Sequence, residues 1–254
     1  MNTREPAYVI LGRGRWGQTM HRALSENRRR VTVVEDSRRR PTETGADFRS
    51  RISEALRSTG AQIAWLCLPP VPDVPLIVEA ALLAGLHVVA EKPWLHSTAQ
   101  TEALIDLAKG RGAIIAVHHQ YCFLDRVQEW RQSFHSAGHS ADGLKFSGRF
   151  TLSRPDRQGI SALWNLGSHL LAIREYAVPE SRISEINCGY DVPDERNVRI
   201  ENESRIIDSI DFMSNSEPII QRFIADFEAS LTNGDFGLDL RFALRVAVAI
   251  RSIE

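Results

Sequence analysis

The stretch AYVILGRGRWGQTM (7–20) decides how this chain folds. Ala7 to Leu11 is apolar throughout, and a strand apolar on both faces needs cover on both. Gly12-Arg13-Gly14-Arg15-Trp16-Gly17 follows in the spacing Gly-x-Gly-x-x-Gly. The first glycine allows a tight turn, the second lets backbone approach a pyrophosphate, and the third lets the next helix pack on the strand. The helix N-terminus offers unpaired N–H groups and a positive dipole end to the anion. The pattern carries weight between a strand and a helix, and QTMHRALSENRRR (18–30) reads as that helix, with Met20, Ala23 and Leu24 on one side.

VTVVE (31–35) is the second strand. An acidic residue at its end is the expected holder of a ribose diol. Glu35 stands there with Asp36 beside it, which favours NAD. Arg38, Arg39 and Arg40 come next, and arginine there suits the 2′-phosphate of NADP. A solvated helix start explains the triplet equally well. The cofactor is therefore NAD or NADP, with Glu35 tipping the reading to NAD. Gly12, Gly14, Arg15, Trp16, Gly17, Glu35, Asp36 and Arg38 are its candidate contacts.

The alternation continues outward. AQIAWLCL (61–68) is a buried strand, followed by Asp73 as an N-cap, with Pro75 in the first turn of a helix to about Ala84. HVVA (87–90) is a strand. Ser97 to Gln100 fits a capping box for a helix through Lys109, and AIIAVH (113–118) is another strand. Apolar strands separated by helices imply a parallel sheet of the doubly wound α/β class, a Rossmann domain over 1–120. From 121 to 254 the style changes. A helix at 124–136 precedes mixed-face strands at 144–153, 183–192, 197–201 and 205–212, with helical patterns at 161–177, 217–231 and 239–252. That reads as a smaller α+β domain with a trimmed, mainly antiparallel sheet.

The net charge of −1 gives no general pull toward nucleic acid or an anionic membrane. No stretch approaches the roughly 20 apolar residues of a membrane span. The N-terminus lacks a signal-peptide core, and three scattered cysteines, Cys67, Cys122 and Cys188, suit a reducing cytoplasm better than disulfides or zinc. His135 and His139 are spaced as a metal pair on a helix but fall in a Gly/Ser-rich loop, so no metal is expected. The run Arg28-Arg29-Arg30 reads as a solvated helix end.

In HVVAEKPW (87–94) a hydrophobic strand runs into Glu91, Lys92 and Pro93. Ligands of open α/β sheets bind beyond the carboxyl ends of strands, so both charges are expected to point into the crevice. A lysine there can stabilise an alkoxide or polarise a carbonyl. The glycine turn, Leu68-Pro69-Pro70, Ala90-Glu91-Lys92-Pro93, Val117 to Phe123, and Ala162 to His169 together resemble the glucose–fructose oxidoreductase/inositol dehydrogenase family. The resemblance implies that Lys92 meets the reacting oxygen and His169 is the acid/base, with Asn165 four residues before it. It places Glu91 near the nicotinamide riboside and adds Leu68, Pro69, Pro70, Lys92 and Gln120 to the cofactor surface. His119, Tyr121 and Trp164 join Lys92 and His169 as candidate substrate contacts, although strand capping and packing explain those three equally well.

Two departures bear on the chemistry. The family usually has an aspartate where Asn165 stands; a neutral amide can position a histidine but not draw its proton. Cys122 replaces a common arginine, removing a substrate carboxylate or phosphate anchor. About 40 residues connect Tyr176 to Glu217, room for a few strands only. The sheet that commonly forms the family's dimer face is shortened, so a homo-oligomer stays open. The leading expectation is hydride transfer to or from a sugar, cyclitol or similar polar metabolite. The alternatives are a cyclic imine reductase in a specialised biosynthetic pathway and a non-catalytic dinucleotide-binding sensor or partner subunit.

Overall fold

The computed structural model describes residues 5–136, 143–155, 159–202, 205–213 and 216–254, with His135 and Ser136 described by backbone alone. It divides into two compact units, Met1–His118 with Phe223–Leu244, and His119–Arg222 with Arg245–Glu254.

The first unit is built on five parallel strands: β1 (Tyr8–Leu11), β2 (Val31–Val34), β3 (Ile63–Leu66), β4 (His87–Ala90) and β5 (Ile115–Val117). Their order is β2-β1-β3-β4-β5. The direction of winding reverses at β1, so the switch point lies at the carboxyl ends of β1 and β3. Strands β1, β3 and β5 are wholly buried, whereas the edge strand β2 is half-exposed. Helices α1 (Arg15–Glu26), α2 (Gly45–Ser58), α3 (Val74–Leu83) and α4 (Thr98–Arg111) connect them. Phe48, Ile52, Val78, Leu82 and Leu104 from α2, α3 and α4 pack on one layer of strand side chains. The α/β reading holds, and the capping box of α4 is formed by Ser97 and Gln100.

Two details differ from the sequence expectation. Helix α1 stops at Glu26 rather than running through Arg30. Asn27 donates to the Ala23 carbonyl (2.7 Å), and Arg28 takes a φ of 59°. Arg29, far from being a solvated helix end, bridges Glu228 (2.7 Å) and Glu5 (2.8 Å). Asp73 is the N-cap of α3 but makes no capping hydrogen bond. Pro75 has no N–H to offer it, and its carboxylate faces Arg39 instead (3.5 Å).

The second unit carries a mixed sheet of β6 (Leu144–Leu152), β7 (Arg182–Tyr190), β8 (Glu195–Asn202) and β9 (Arg205–Asp211), in the order β7-β6-β8-β9. The β6–β8 and β8–β9 pairs are antiparallel, as expected, while β6 and β7 run parallel. A parallel pair needs a crossover, and α6 (Ser168–Ala177) supplies it. Helix α5 (Asp125–Ser136) precedes the sheet. Gly148 lets α6 sit close: a Cβ there would lie 2.7 Å from Leu170 Cδ2 and 3.2 Å from Val198. Helices α7 (Ile219–Asn233) and α8 (Leu240–Arg251) complete the chain.

Candidate active site

In the first unit the glycine turn joins the ends of β1 and β3. Gly12 has a φ of 111°, and a Cβ on it would lie 2.3 Å from the Cys67 carbonyl oxygen. A Cβ on Gly17 would lie 2.0 Å from the Gly12 carbonyl oxygen, so neither position admits a side chain. Gly14 differs. As N-cap of α1 it has φ −62° and ψ 177°, open to any residue, and a Cβ there would meet nothing within 4 Å. No side chain caps the helix, which leaves its first N–H groups for another acceptor. A close-approach glycine before an uncapped helix start fits a dinucleotide pyrophosphate.

Glu35 follows β2 and reaches back to this turn, pairing with Arg13 at 2.8 Å. Both side chains are 65% exposed, so the pair contributes little and can be exchanged for a ribose. Asp36 is already bound by Arg40 (3.0 Å) and Arg51 (3.1 Å). Residues 38–40 form no helix, because α2 begins only after its Thr44 cap; the Arg38 carbonyl accepts from Arg51 (2.8 Å) and its side chain is exposed. Arg15 is exposed, and Trp16 lies 5.9 Å from the His118 ring. Leu68, Pro69 and Pro70 continue from β3, with Leu68 packed against the core.

At the end of β4 the two charges part ways. The Glu91 carboxylate does not stand free at the strand end: Oε1 accepts from Trp65 Nε1 (2.9 Å) and lies 3.2 Å from His118 Nδ1. Its side chain is 10% exposed and that of His118 is fully buried. Burial and the Glu91 charge push the neighbouring Cys67 thiol well above its usual range. Lys92 is partly buried and joined to Pro93 by a cis peptide bond.

In the second unit His119 is buried at the start of the short turn Gln120–Phe123, and Gln120 is partly buried. Tyr121 in that turn packs edge-on to His169 at 4.7 Å, and Phe150 and Phe212 pack on Tyr121 at 5.6 and 5.4 Å. The Tyr121 hydroxyl accepts from Arg196 Nη1 (3.2 Å). His169 is the second residue of α6. The helix is preceded by a π turn, Leu163–Gly167, that contains Trp164 and Asn165. Asn165 Nδ2 donates to the Tyr190 hydroxyl (2.7 Å), and the Arg251 guanidinium lies 5.7 Å from the Trp164 ring centre. Tyr121 and His169 are thus brought together, while Asn165 and Trp164 each engage another partner. Cys122 is buried, its Sγ donating to the Ala172 carbonyl (3.6 Å), and burial pushes its thiol pKa up.

Trp65 as a holder of Glu91, and Arg196 and Tyr190 as neighbours of the histidine segment, were not legible as site residues. Trp65 is 26 residues from Glu91 and Arg196 is 75 from Tyr121, so no local pattern links them. Among the described residues no group of three His, Cys, Asp or Glu side chains could hold a metal, and no helix is long and apolar enough to cross a membrane. The His135/His139 pair lies outside the described side chains.

Residues 7–119 match the family model described as "Oxidoreductase family, NAD-binding Rossmann fold". An uncharacterised oxidoreductase of Schizosaccharomyces pombe is 24% identical over 235 residues, 85% of this chain and 59% of the relative. The UDP-N-acetylglucosamine 3-dehydrogenase of Acidithiobacillus ferrooxidans is 24% identical over 161 residues, 63% of this chain and 50% of the relative. This chain spans about half the length of the curated relatives it matches. A solved structure of the Acidithiobacillus enzyme superposes with a TM-score of 0.79 at 17% identity, covering 99% of this chain and 97% of that one, a likeness of fold. Over residues 7–119 the chain is thus similar to the Gfo/Idh/MocA oxidoreductases, and the matched segment is the one described as an NAD-binding Rossmann fold.

Proposed function

We propose that the chain moves a hydride between NAD(P) and a carbonyl or alcohol carbon of a sugar, cyclitol or similar polar metabolite. The observation that carries this reading is the glycine turn, closed to side chains at 12 and 17 and open at 14, in the same sheet that carries Lys92 beyond β4. Gly14, the start of α1 and Glu35 hold the dinucleotide, and Arg15, Trp16 and the Leu68-Pro69-Pro70 segment flank it. When bound, the nicotinamide supplies or accepts the hydride. Lys92 holds the reacting oxygen and favours its negative charge. His169 gives or takes the proton. Glu91, fixed by Trp65 and His118, sets the backbone from which Lys92 projects. A sugar-like substrate is supported by the UDP-N-acetylglucosamine 3-dehydrogenase among the relatives.

A second reading, reduction of a cyclic imine, is supported by Asn165. Its amide is neutral and donates to Tyr190, so it supplies no carboxylate to draw a proton from His169. Both readings are tested by titrating the protein with NADH and NADPH by fluorescence. Turnover of UDP-sugars, free sugars, cyclitols and 1-pyrroline is then followed by nicotinamide absorbance. Lys92→Ala is expected to lower kcat by roughly 100-fold. Glu35→Ala is expected to weaken NADH by about tenfold and NADPH less, since only the unphosphorylated ribose uses that carboxylate. Equal losses would mean that Glu35 does not read the ribose, and no dinucleotide binding would overturn the whole reading.

A further inference from the structure

We infer that Arg196 anchors an anionic group of the substrate, a carboxylate or a phosphate, beside Tyr121 and His169. The inference deepens the function proposed above and rests on its assignment of His169. On β8, Arg196 alternates in register with Val198 and Ile200, both buried in the core of the second unit. Arg196 therefore occupies an inward position of the strand, where a charge is costly unless it is paired. Its neighbours are committed elsewhere. Glu195 pairs with Arg149 (3.1 Å), and Asp194 accepts from the Ser153 backbone N–H (2.5 Å). Among the described residues no carboxylate lies within ion-pair distance of Arg196, and its side-chain hydrogen bond goes to a neutral phenol oxygen, that of Tyr121 (3.2 Å).

That phenol ring is the one packed edge-on against His169 at 4.7 Å, with Phe150 and Phe212 behind it. The Arg196 backbone is fixed as well, its carbonyl accepting from Phe212 N (2.8 Å). A guanidinium held by Tyr121, with no acid in ion-pair range and the Asp194 charge acting on it only from farther off, has the geometry for two-pronged binding of a carboxylate or phosphate. The aromatic wall beside it suits the apolar face of a sugar ring. Cys122 cannot serve as the anchor, because its thiol is buried and turned to Ala172.

The test is equilibrium binding by calorimetry and thermal shift, with D-glucuronate, D-glucose 6-phosphate and D-glucose as probes, with and without NADH. The wild type is expected to bind at least one anionic probe more tightly than glucose, the tighter one naming the anion. Arg196→Ala is expected to lose that affinity by about tenfold or more, Arg196→Lys to recover part of it, and Tyr121→Phe to retain most of it. Equal binding of glucose and both anions, no binding of either anion, or unchanged affinity in Arg196→Ala would overturn the assignment. Failure of NADH to bind would overturn the oxidoreductase reading while the anion measurement stands on its own.

Discussion

Gly14 and Gly17 belong to one motif but answer to different demands. A methyl at Gly17 would press into the Gly12 carbonyl at 2.0 Å, backbone against backbone. Gly17→Ala is therefore expected to cost about 3 kcal/mol or more of stability, since overpacking here cannot be relieved by a rotamer change. A methyl at Gly14 meets no protein atom within 4 Å, on backbone that alanine adopts freely. Gly14→Ala should leave stability within about 0.5 kcal/mol of wild type, as for other substitutions without a disrupted contact, yet weaken NADH binding. Urea denaturation and a fluorescence titration of the two variants check this, and a Gly14→Ala protein that binds NADH normally would refute the close-approach role. His96 offers a separate test by pH. Burial lowers its pKa to about 4 in the fold, against 6.5 in an exposed chain. The unfolded chain thus takes up the proton first as pH falls. Stability should decline between about pH 6.5 and 4 and show no further contribution from His96 below that, and His96→Phe should flatten this part of the urea midpoint curve.

Elements were legible where periodicity is local. Continuous apolar runs marked β1, β3, β4 and β5, and Ser97 with Gln100 marked the start of α4, because those signals lie within a few residues of what they control. The end of α1 was not legible, since the left-handed turn that stops it (φ 59°) falls on Arg28, where no glycine marks it. The π turn before α6 was hidden for a similar reason: a helical pattern at 161–177 does not reveal a change of hydrogen-bond spacing inside it. The glycines of the site could be read in sequence, whereas the inward pull on Glu91 depends on Trp65 of β3 and on His118 just past β5. Gly148 is the element-scale counterpart of Gly17. It brings β6 against Leu170, one residue after His169, and Gly148→Ala is expected to cost about 1–3 kcal/mol by forcing α6 away from the sheet. Denaturant unfolding gives the cost. Anionic-probe affinity in the still-folded variant reports whether displacement of α6 reaches the His169–Tyr121 cluster.

On the scale of the whole molecule, sequence order and folding units do not coincide. Residues 223–244 lie far along the chain from the glycine turn, yet they belong to the first unit. Phe223 packs on Trp65 (5.7 Å) and on His118 (4.6 Å), the two side chains that hold Glu91. Four residues on, Phe227 packs on Phe236, and Glu228 accepts from the Tyr8 hydroxyl (2.8 Å) and from Arg29 (2.7 Å). The Glu228 side chain is 12% exposed and that of Arg29 is 18% exposed, so solvent screens the pair weakly. Removing the carboxylate leaves a half-buried guanidinium with Glu5 as its remaining acid, and a buried phenol with no acceptor. Glu228→Ala should thus cost about 3 kcal/mol, the lower end for breaking a buried pair, and Glu228→Gln less, because the amide oxygen can still accept from Tyr8. Hydrogen exchange followed by mass spectrometry can locate the loss. If the late segment is part of the first unit's fold, peptides covering β1 and β3 will lose protection in Glu228→Ala while those covering β6 and β8 keep it. A loss confined to the second unit's strands would show that the segment stabilises the chain by another route.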